Sequence, residues 1–454
     1  MKSIKIINGL VPDFEKMLMI QKDILLEDGK ISQVGNIYKE ADINIDAKGK
    51  IVSPGFIDIH MHEEELDMTE KDPYFIAYYE LKMGVTTCIG GNCGANRQSV
   101  EDFTGYIQKN GSPVNYMMYL GHNFLRSAVG IEDRYRASTK NEIDQMKQLL
   151  RKYVPTGIVG ISYGIEYSPG IETEEIIDLA RSLDSDKYLL SAHFRSDVEK
   201  SVEAITEMIE ISKMSKLPMQ ISHIGSCSAY GYMDEGLKTI IKARMEGADI
   251  FADCYPYDAF GTFIGSAAFD DGCFEKWNRT YSDVLLTEEP FKNIRSTEEI
   301  FFKARKDYPD MIAVAFVMNE SEIIQALQAP FVFVGSDGVY RKDSGHPRGA
   351  GSFPKVLSRY VRENKNLDLV DALWKMTLGP ANRLRLFQKG EIKIGMDADI
   401  TIFDPQTIRD KATFEQPTLS PEGIEFVIVN GEIAVENNQV KNGRLGKFVR
   451  YNLE

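Results

Sequence analysis

The chain has 454 residues, 43% of them hydrophobic and 27% charged, a composition that suits a globular protein with a large core and more than one structural unit. A formal net charge of −15 argues against nucleic acid or an anionic membrane surface as the main partner, and no apolar stretch approaches the length that crosses a bilayer. Five cysteines, few and odd in number, and an N-terminus without an apolar secretory region predict a cytoplasmic protein without a disulfide framework.

The first fifty residues are rich in β signals. Ile4, Ile6 and the run from Asp23 to Val34 predict short strands turning at Asp28-Gly29. Eight apolar, β-like runs follow, at 56–60, 85–89, 114–120, 157–162, 188–192, 218–222, 249–253 and 331–335. Helical periodicity falls between most of them, at 70–83, 141–154, 173–183, 198–215 and 234–246. Such alternation predicts an α/β fold, a (β/α)8 TIM-type barrel over residues 55–390. The long gap before the last run predicts an insertion around 260–330, of the kind that serves as a lid. After 390 the β texture returns, with strands at Ala398–Asp404 and Glu425–Val435 and a hairpin turn at Asn430-Gly431. Residues 1–54 and 391–454 together predict a small β-sandwich domain built from both chain ends.

Of the six histidines, His60, His62, His193 and His223 close apolar runs. His60 and His62 are two apart, so on a strand they share one face. The second run leads into Gly90-Gly-Asn-Cys93-Gly94, and the eighth into Gly335-Ser-Asp337-Gly338. Chemistry in such barrels gathers at the C-terminal strand ends. Five strands thus deliver metal-type ligands to one end. Zinc takes thiolate, imidazole and carboxylate and keeps a position for water, whose pKa it lowers. A carboxylate then shuttles the proton. Asp337 is the candidate for that work, its plain alternative being a turn residue that caps the next segment. Cys93 is either a small buried hydrophobe or a thiolate brought to the metal by its glycine-flanked loop.

These residues resemble the amidohydrolase superfamily and, within it, the N-acyl-D-amino-acid deacylases (D-aminoacylases). The resemblance covers nearly the whole chain. It is carried by Pro54-Gly-Phe-Ile-Asp-Ile-His-Met-His62, Gly91-Asn-Cys-Gly94, Ser222-His223, Asp253-Cys-Tyr-Pro-Tyr257, Ser336-Asp-Gly338 and His346-Pro-Arg348. It implies a tightly bound Zn2+ on Cys93, His193 and His223. It implies a second, weaker or empty metal position at His60 and His62, and Asp337 as catalytic acid/base. It also implies that Arg348 and Tyr257 grip a substrate carboxylate, with Glu166 at the substrate pocket or metal edge. Two further donors of that clamp, a lysine and a serine, are replaced by Gly225 and Gly261. Arg195 and His346 either face the site or are structural hydrogen-bonders.

The function expected is zinc-dependent hydrolysis of a linear amide, with a small-molecule N-acyl-D-amino acid or close derivative as substrate. One alternative is a cyclic amidase (hydantoinase- or dihydroorotase-like) or isoaspartyl-dipeptidase-like hydrolase. The fourth run offers no bridging lysine for that. The other alternative is a scaffold without metal, against which stands the full ligand set. The sequence leaves the acyl group, metal count and oligomeric state open.

Overall fold

The computed structural model describes residues 1–67 and 69–453. Both chain ends enter one nine-stranded sheet, from Ile4–Asp13 through Ile51–Pro54 on one side and from Ile400–Phe403 through Gln439–Val440 on the other. The halves join where Ile51–Pro54 runs antiparallel to Ile400–Phe403. Ile4, Ile6, Ile24, Val52, Ile400 and Ile428 form the core of this sheet. Both expected tight turns are there. Asp28 and Gly29 lie at φ 51° and 76°, Asn430 and Gly431 at 50° and 85°. Two successive positive φ values give a hairpin turn whose twist matches its strands.

Between the ends lie parallel strands buried on both faces, which is why they read as unbroken apolar runs. Phe56–Asp58, Val85–Gly90 and Asn115–Met118 form one parallel sheet. Leu120–Gly121, Gly160–Gly164, Leu189–His193, Met219–Ile221, Ile250–Cys254 and Val332–Val334 form another. The ladders are two arcs joined by backbone hydrogen bonds at two seams. Val159 N donates to Met118 O at 2.9 Å on one side; on the other, Asp337 N donates to His60 O at 2.7 Å and His62 N to Gly338 O at 3.0 Å.

The helices pack between strands through one apolar face. Lys140–Tyr153 opens with a capping box in which Thr139 and Glu142 bond reciprocally, and it buries Met146, Leu150 and Tyr153. The helix expected over 70–83 is shorter, Ile76–Lys82. Pro73 lacks a donor, and the Glu64 carboxylate takes the N–H groups of Phe75 and Ala77 as a remote cap. The segment expected as an insertion carries its own four-stranded sheet, in the order Phe260–Phe263, Ile312–Ala315, Val284–Leu286, Ile294–Arg295. Phe260, Phe269, Phe274, Trp277 and Phe301 form its aromatic cluster. Among the described residues no helix is long and apolar enough to cross a membrane.

Candidate metal centre

The strand Phe56–Asp58 ends two residues before His60, where the chain bends out of the ladder. His60 and His62 nevertheless face one site, because Met61 between them bridges in parallel to Gly338. Asp58, buried at the strand end, accepts from His60 N and from Ser336 N, both at 3.0 Å. One carboxylate thereby ties the histidine segment to the Asp337 segment.

Cys93 follows the strand Val85–Gly90 at φ 51°, in a loop pinned by its neighbours. The Asn92 amide donates to Ile89 O and Met61 O, and Gly94 N donates to Ser162 Oγ at 3.1 Å. Its Sγ lies 3.4 Å from His60 Nε2 and 3.3 Å from His223 Nε2. Burial works against a thiolate, yet the cationic His223 and His60 rings hold the Cys93 thiol well below its ordinary value.

Two ligand groups share Cys93. One is His60, His62, Cys93 and Asp337; the other is Cys93, His193 and His223, each with ligand atoms within 4.8 Å of one another. The separations of 3.3 and 3.4 Å approach the edge of a zinc tetrahedron, about 3.5 Å from the usual bond lengths. His193 Nε2 bonds Glu166 Oε2 at 2.8 Å, while its buried Nδ1 has no partner. A buried imidazole nitrogen left free while a carboxylate holds the other is the arrangement of a metal-binding histidine. The sulfur, nitrogen and oxygen donors therefore fit zinc.

Asp337 lies at φ 49° on the seam between the arcs. Oδ1 is 3.1 Å from His62 Nε2 and 3.4 Å from His60 Nε2, and Oδ2 pairs with Arg348 Nη1 at 3.0 Å. Burial pushes its carboxyl up, but Arg348, His223 and His60 together hold it well below the usual carboxylate range. It is ionised at neutral pH.

Asp253 is a residue the sequence reading passed over. It sits in the strand Ile250–Cys254, where Oδ1 meets His60 Nδ1 at 2.9 Å and accepts from His223 N at 2.7 Å; Oδ2 accepts from Gln220 Nε2 at 3.0 Å. It orients two ligand-type histidines at once. A lone carboxylate inside an otherwise apolar run is the signal that marks it.

A cavity of about 350 Å³ opens over this cluster, lined by His62, Cys93, Asp337, Arg348, Tyr167 and Thr262 among others. A larger groove, about 950 Å³, lies at the opposite strand ends and shares no residue with the cluster. Tyr167, which sequence reasoning also missed, packs against His193 with ring centroids 4.5 Å apart and the rings tilted by 57°.

Tyr257 corrects an expectation. It is absent from this cavity's wall, and its hydroxyl donates to Asp410 Oδ2 at 3.3 Å. The strand stops at Cys254, so the loop beyond turns Tyr257 away and leaves Tyr255 beside Arg348, whose guanidinium carbon lies 4.6 Å from the ring centre. Glu166 reaches His193 and the smaller chamber beside the cluster. Arg195 pairs with Glu207, His122 with Glu175, and His346 bonds Ala259 O and accepts from Arg348 N; these are structural partners. The two glycines in place of the clamp donors are crowded. A Cβ on Gly225 would stand 2.5 Å from Ile323 Cδ1, and one on Gly261 3.2 Å from His346 Cβ.

The amidohydrolase family model matches residues 51–434. A D-aminoacylase from Alcaligenes xylosoxydans xylosoxydans is 30% identical over 446 residues, 90% of this chain and 89% of that one. The structure of an N-acyl-D-glutamate deacylase from Bordetella bronchiseptica, with zinc and a phosphonate mimic of the tetrahedral intermediate, is similar at TM-score 0.87 and 28% identity, covering 98% of this chain and 99% of that one. A D-aminoacylase structure described by its binuclear metal centre, with one-metal activation and second-metal attenuation, matches at TM-score 0.86 and 29% identity over 98% and 99% of the two chains. With a matching sequence model, a relative aligned over most of both chains and a common architecture, the chain belongs to the amidohydrolase family, in its D-aminoacylase group.

Proposed function

We propose that this protein is a zinc-dependent hydrolase that splits the amide of an N-acyl-D-amino acid or close derivative into a carboxylic acid and an amine. The observation that carries this is Cys93 Sγ standing 3.3 Å from His223 Nε2 and 3.4 Å from His60 Nε2, with the ionised Asp337 beside them at the floor of a cavity. Cys93, His193 and His223 would hold the tight zinc, and His60 and His62, sharing Cys93, a second and weaker position. The binuclear centre of the D-aminoacylase relative supports that division. Bound there, zinc supplies a Lewis acid for the carbonyl oxygen and acidifies water.

The chain's own groups do the rest. Asp337 Oδ2 is occupied by Arg348, so Oδ1 is the atom that takes a proton from water and returns it to the leaving nitrogen. Asp253 fixes the tautomer of His60 by accepting at Nδ1, and Glu166 does the same for His193 at Nε2. Arg348 anchors Asp337 and faces the cavity, where it is the retained member of a carboxylate clamp. In the same reading the two arcs act as a (β/α)8 barrel over 55–390, covered by the insertion around 260–330. Residues 1–54 and 391–454 form the small β-sandwich domain. The free cysteines suit the cytoplasm.

The test is amine release from N-acetyl-D- and N-acetyl-L-amino acids by protein loaded with zinc and by protein stripped with a chelator. Turnover of D-substrates that disappears on stripping and returns with zinc is expected. Full zinc occupancy with no turnover of any N-acyl amino acid refutes the reading.

A further inference from the structure

The cation nearest to free in the cavity is not Arg348. That guanidinium is held by Asp337 and by Gly261 O, at 3.0 and 2.8 Å. Arg97 is different. It lies four residues past Cys93, its backbone N donates to Glu63 Oε1 at 3.0 Å, and its side chain lines the cavity with the guanidinium carbon 5.1 Å from the centre of the Phe263 ring. Among the described residues its guanidinium makes no hydrogen bond or ion pair. Arg134 on the same wall donates only to the Gly265 carbonyl, at 3.2 Å. Glu132 and Asp310 also line the cavity, yet neither comes within 4 Å of these guanidinium nitrogens. Burial presses Arg97 below its ordinary value, while Glu63 and Glu65 pull it back up.

A half-buried cation with no carboxylate in direct contact is expensive to maintain, and its five donors suit a carboxylate. The positions of the expected clamp lysine and serine are meanwhile Gly225 and Gly261, which offer no side-chain donor. We infer that Arg97 is a specificity-determining residue that binds a second carboxylate of the substrate, so that the preferred substrates are N-acyl amino acids carrying an additional acid in the side chain or in the acyl group. This rests on the deacylase reading and sharpens it. The competing explanation is that Arg97 merely stacks on Phe263.

The experiment compares zinc-loaded wild type, Arg97→Gln and Arg97→Lys. Two acid/neutral pairs are assayed: N-acetyl-D-glutamate against N-acetyl-D-glutamine, and N-succinyl-D-leucine against N-butyryl-D-leucine. In wild type, kcat/KM favours the acid of one pair by at least about tenfold, the range of a charge-assisted contact. That pair identifies whether the side chain or the acyl group carries the acid. Arg97→Gln brings the ratio down about tenfold, and Arg97→Lys restores part of it. Wild-type ratios near one in both pairs, or a ratio that Arg97→Gln leaves untouched, overturn the inference. Glutarate binding by calorimetry reads the contact without turnover. Weakening in Arg97→Gln supports it, and equal binding overturns it. A protein that hydrolyses nothing therefore sinks the deacylase reading while this contact is still decided.

Discussion

Replacing Asp253 by Asn tests whether a residue that touches no substrate governs the metal site. The two side chains are nearly isosteric. Asn retains an oxygen that can face His60 Nδ1 and His223 N, now 2.9 and 2.7 Å from Oδ1. Its amide would oppose Gln220 Nε2, but Gln220 Oε1 has no partner, so that side chain can turn to accept. What changes is charge. Hydrogen bonds to an ionised acceptor contribute about 1.5–3 kcal/mol and neutral ones about 0.5–1.5. Each of the two bonds thus loses about 1 kcal/mol, one bond at each metal position, which is roughly fivefold in metal affinity at either. A chelator-competition titration of Asp253→Asn against wild type should show zinc Kd raised by that factor, with circular dichroism unchanged. A Kd within about twofold of wild type would refute the argument that Asp253 acts through the ligand histidines.

Asp337→Asn should keep its zinc while kcat falls about 10²–10⁴-fold, the span of general acid–base catalysis, as measured by metal analysis beside steady-state kinetics. Gly225→Lys should destabilise by about 1–3 kcal/mol in urea unfolding without raising activity, because its Cβ meets Ile323 Cδ1 at 2.5 Å before the chain can reach the cavity. Glu142, bonded to Arg136 and to Thr139 in the helix cap, has its pKa lowered to about 2. A carboxylate depressed on folding stabilises above its unfolded pKa, near 4.5, and loses that contribution as pH falls to about 2. Glu142→Gln should therefore lower Tm at pH 7, and the gap to wild type should close as the pH approaches 2.

The ligand-type residues were legible because each ends an apolar run. His60, His62, Cys93, His193, His223 and Asp337 stand out as polar groups where burial should stop. The helix starting at Ile76 was misread, since nothing local says that Glu64, twelve positions upstream, would cap it. Tyr255 and Tyr257 could not be told apart by periodicity. The strand ends at Cys254, and in a loop the side-chain direction depends on distant contacts such as Asp410 with Tyr257. Asp253 was readable in principle as a carboxylate within Ile250-Phe-Ala-Asp-Cys254. Its partners lie on strands some thirty and two hundred positions away, and no local pattern names them.

Backbone strain links fold to chemistry here. Cys93, His223 and Asp337 sit at φ 51°, 32° and 49°, a region costing a residue other than glycine about 1–2 kcal/mol. Glycine would relieve each, yet glycine carries no ligand. At these three residues the strain falls just past strand ends, where the backbone must leave the ladder to turn a donor inward. It is opposed by named bonds: His223 N to Asp253, Asp337 N to His60 O, and the Asn92 amide to the strand carbonyls around Cys93. Two of these three restraints pass through His60 or its partner Asp253. His60 therefore does more than offer a nitrogen. Its main chain holds Asp337 in a conformation that residue would otherwise leave, and its ring shares with His223 the carboxylate that fixes both. Weakening that one segment should loosen His60, His223 and Asp337 together, which is why the His60–His62 pair and the Asp337 carboxylate are structurally one unit.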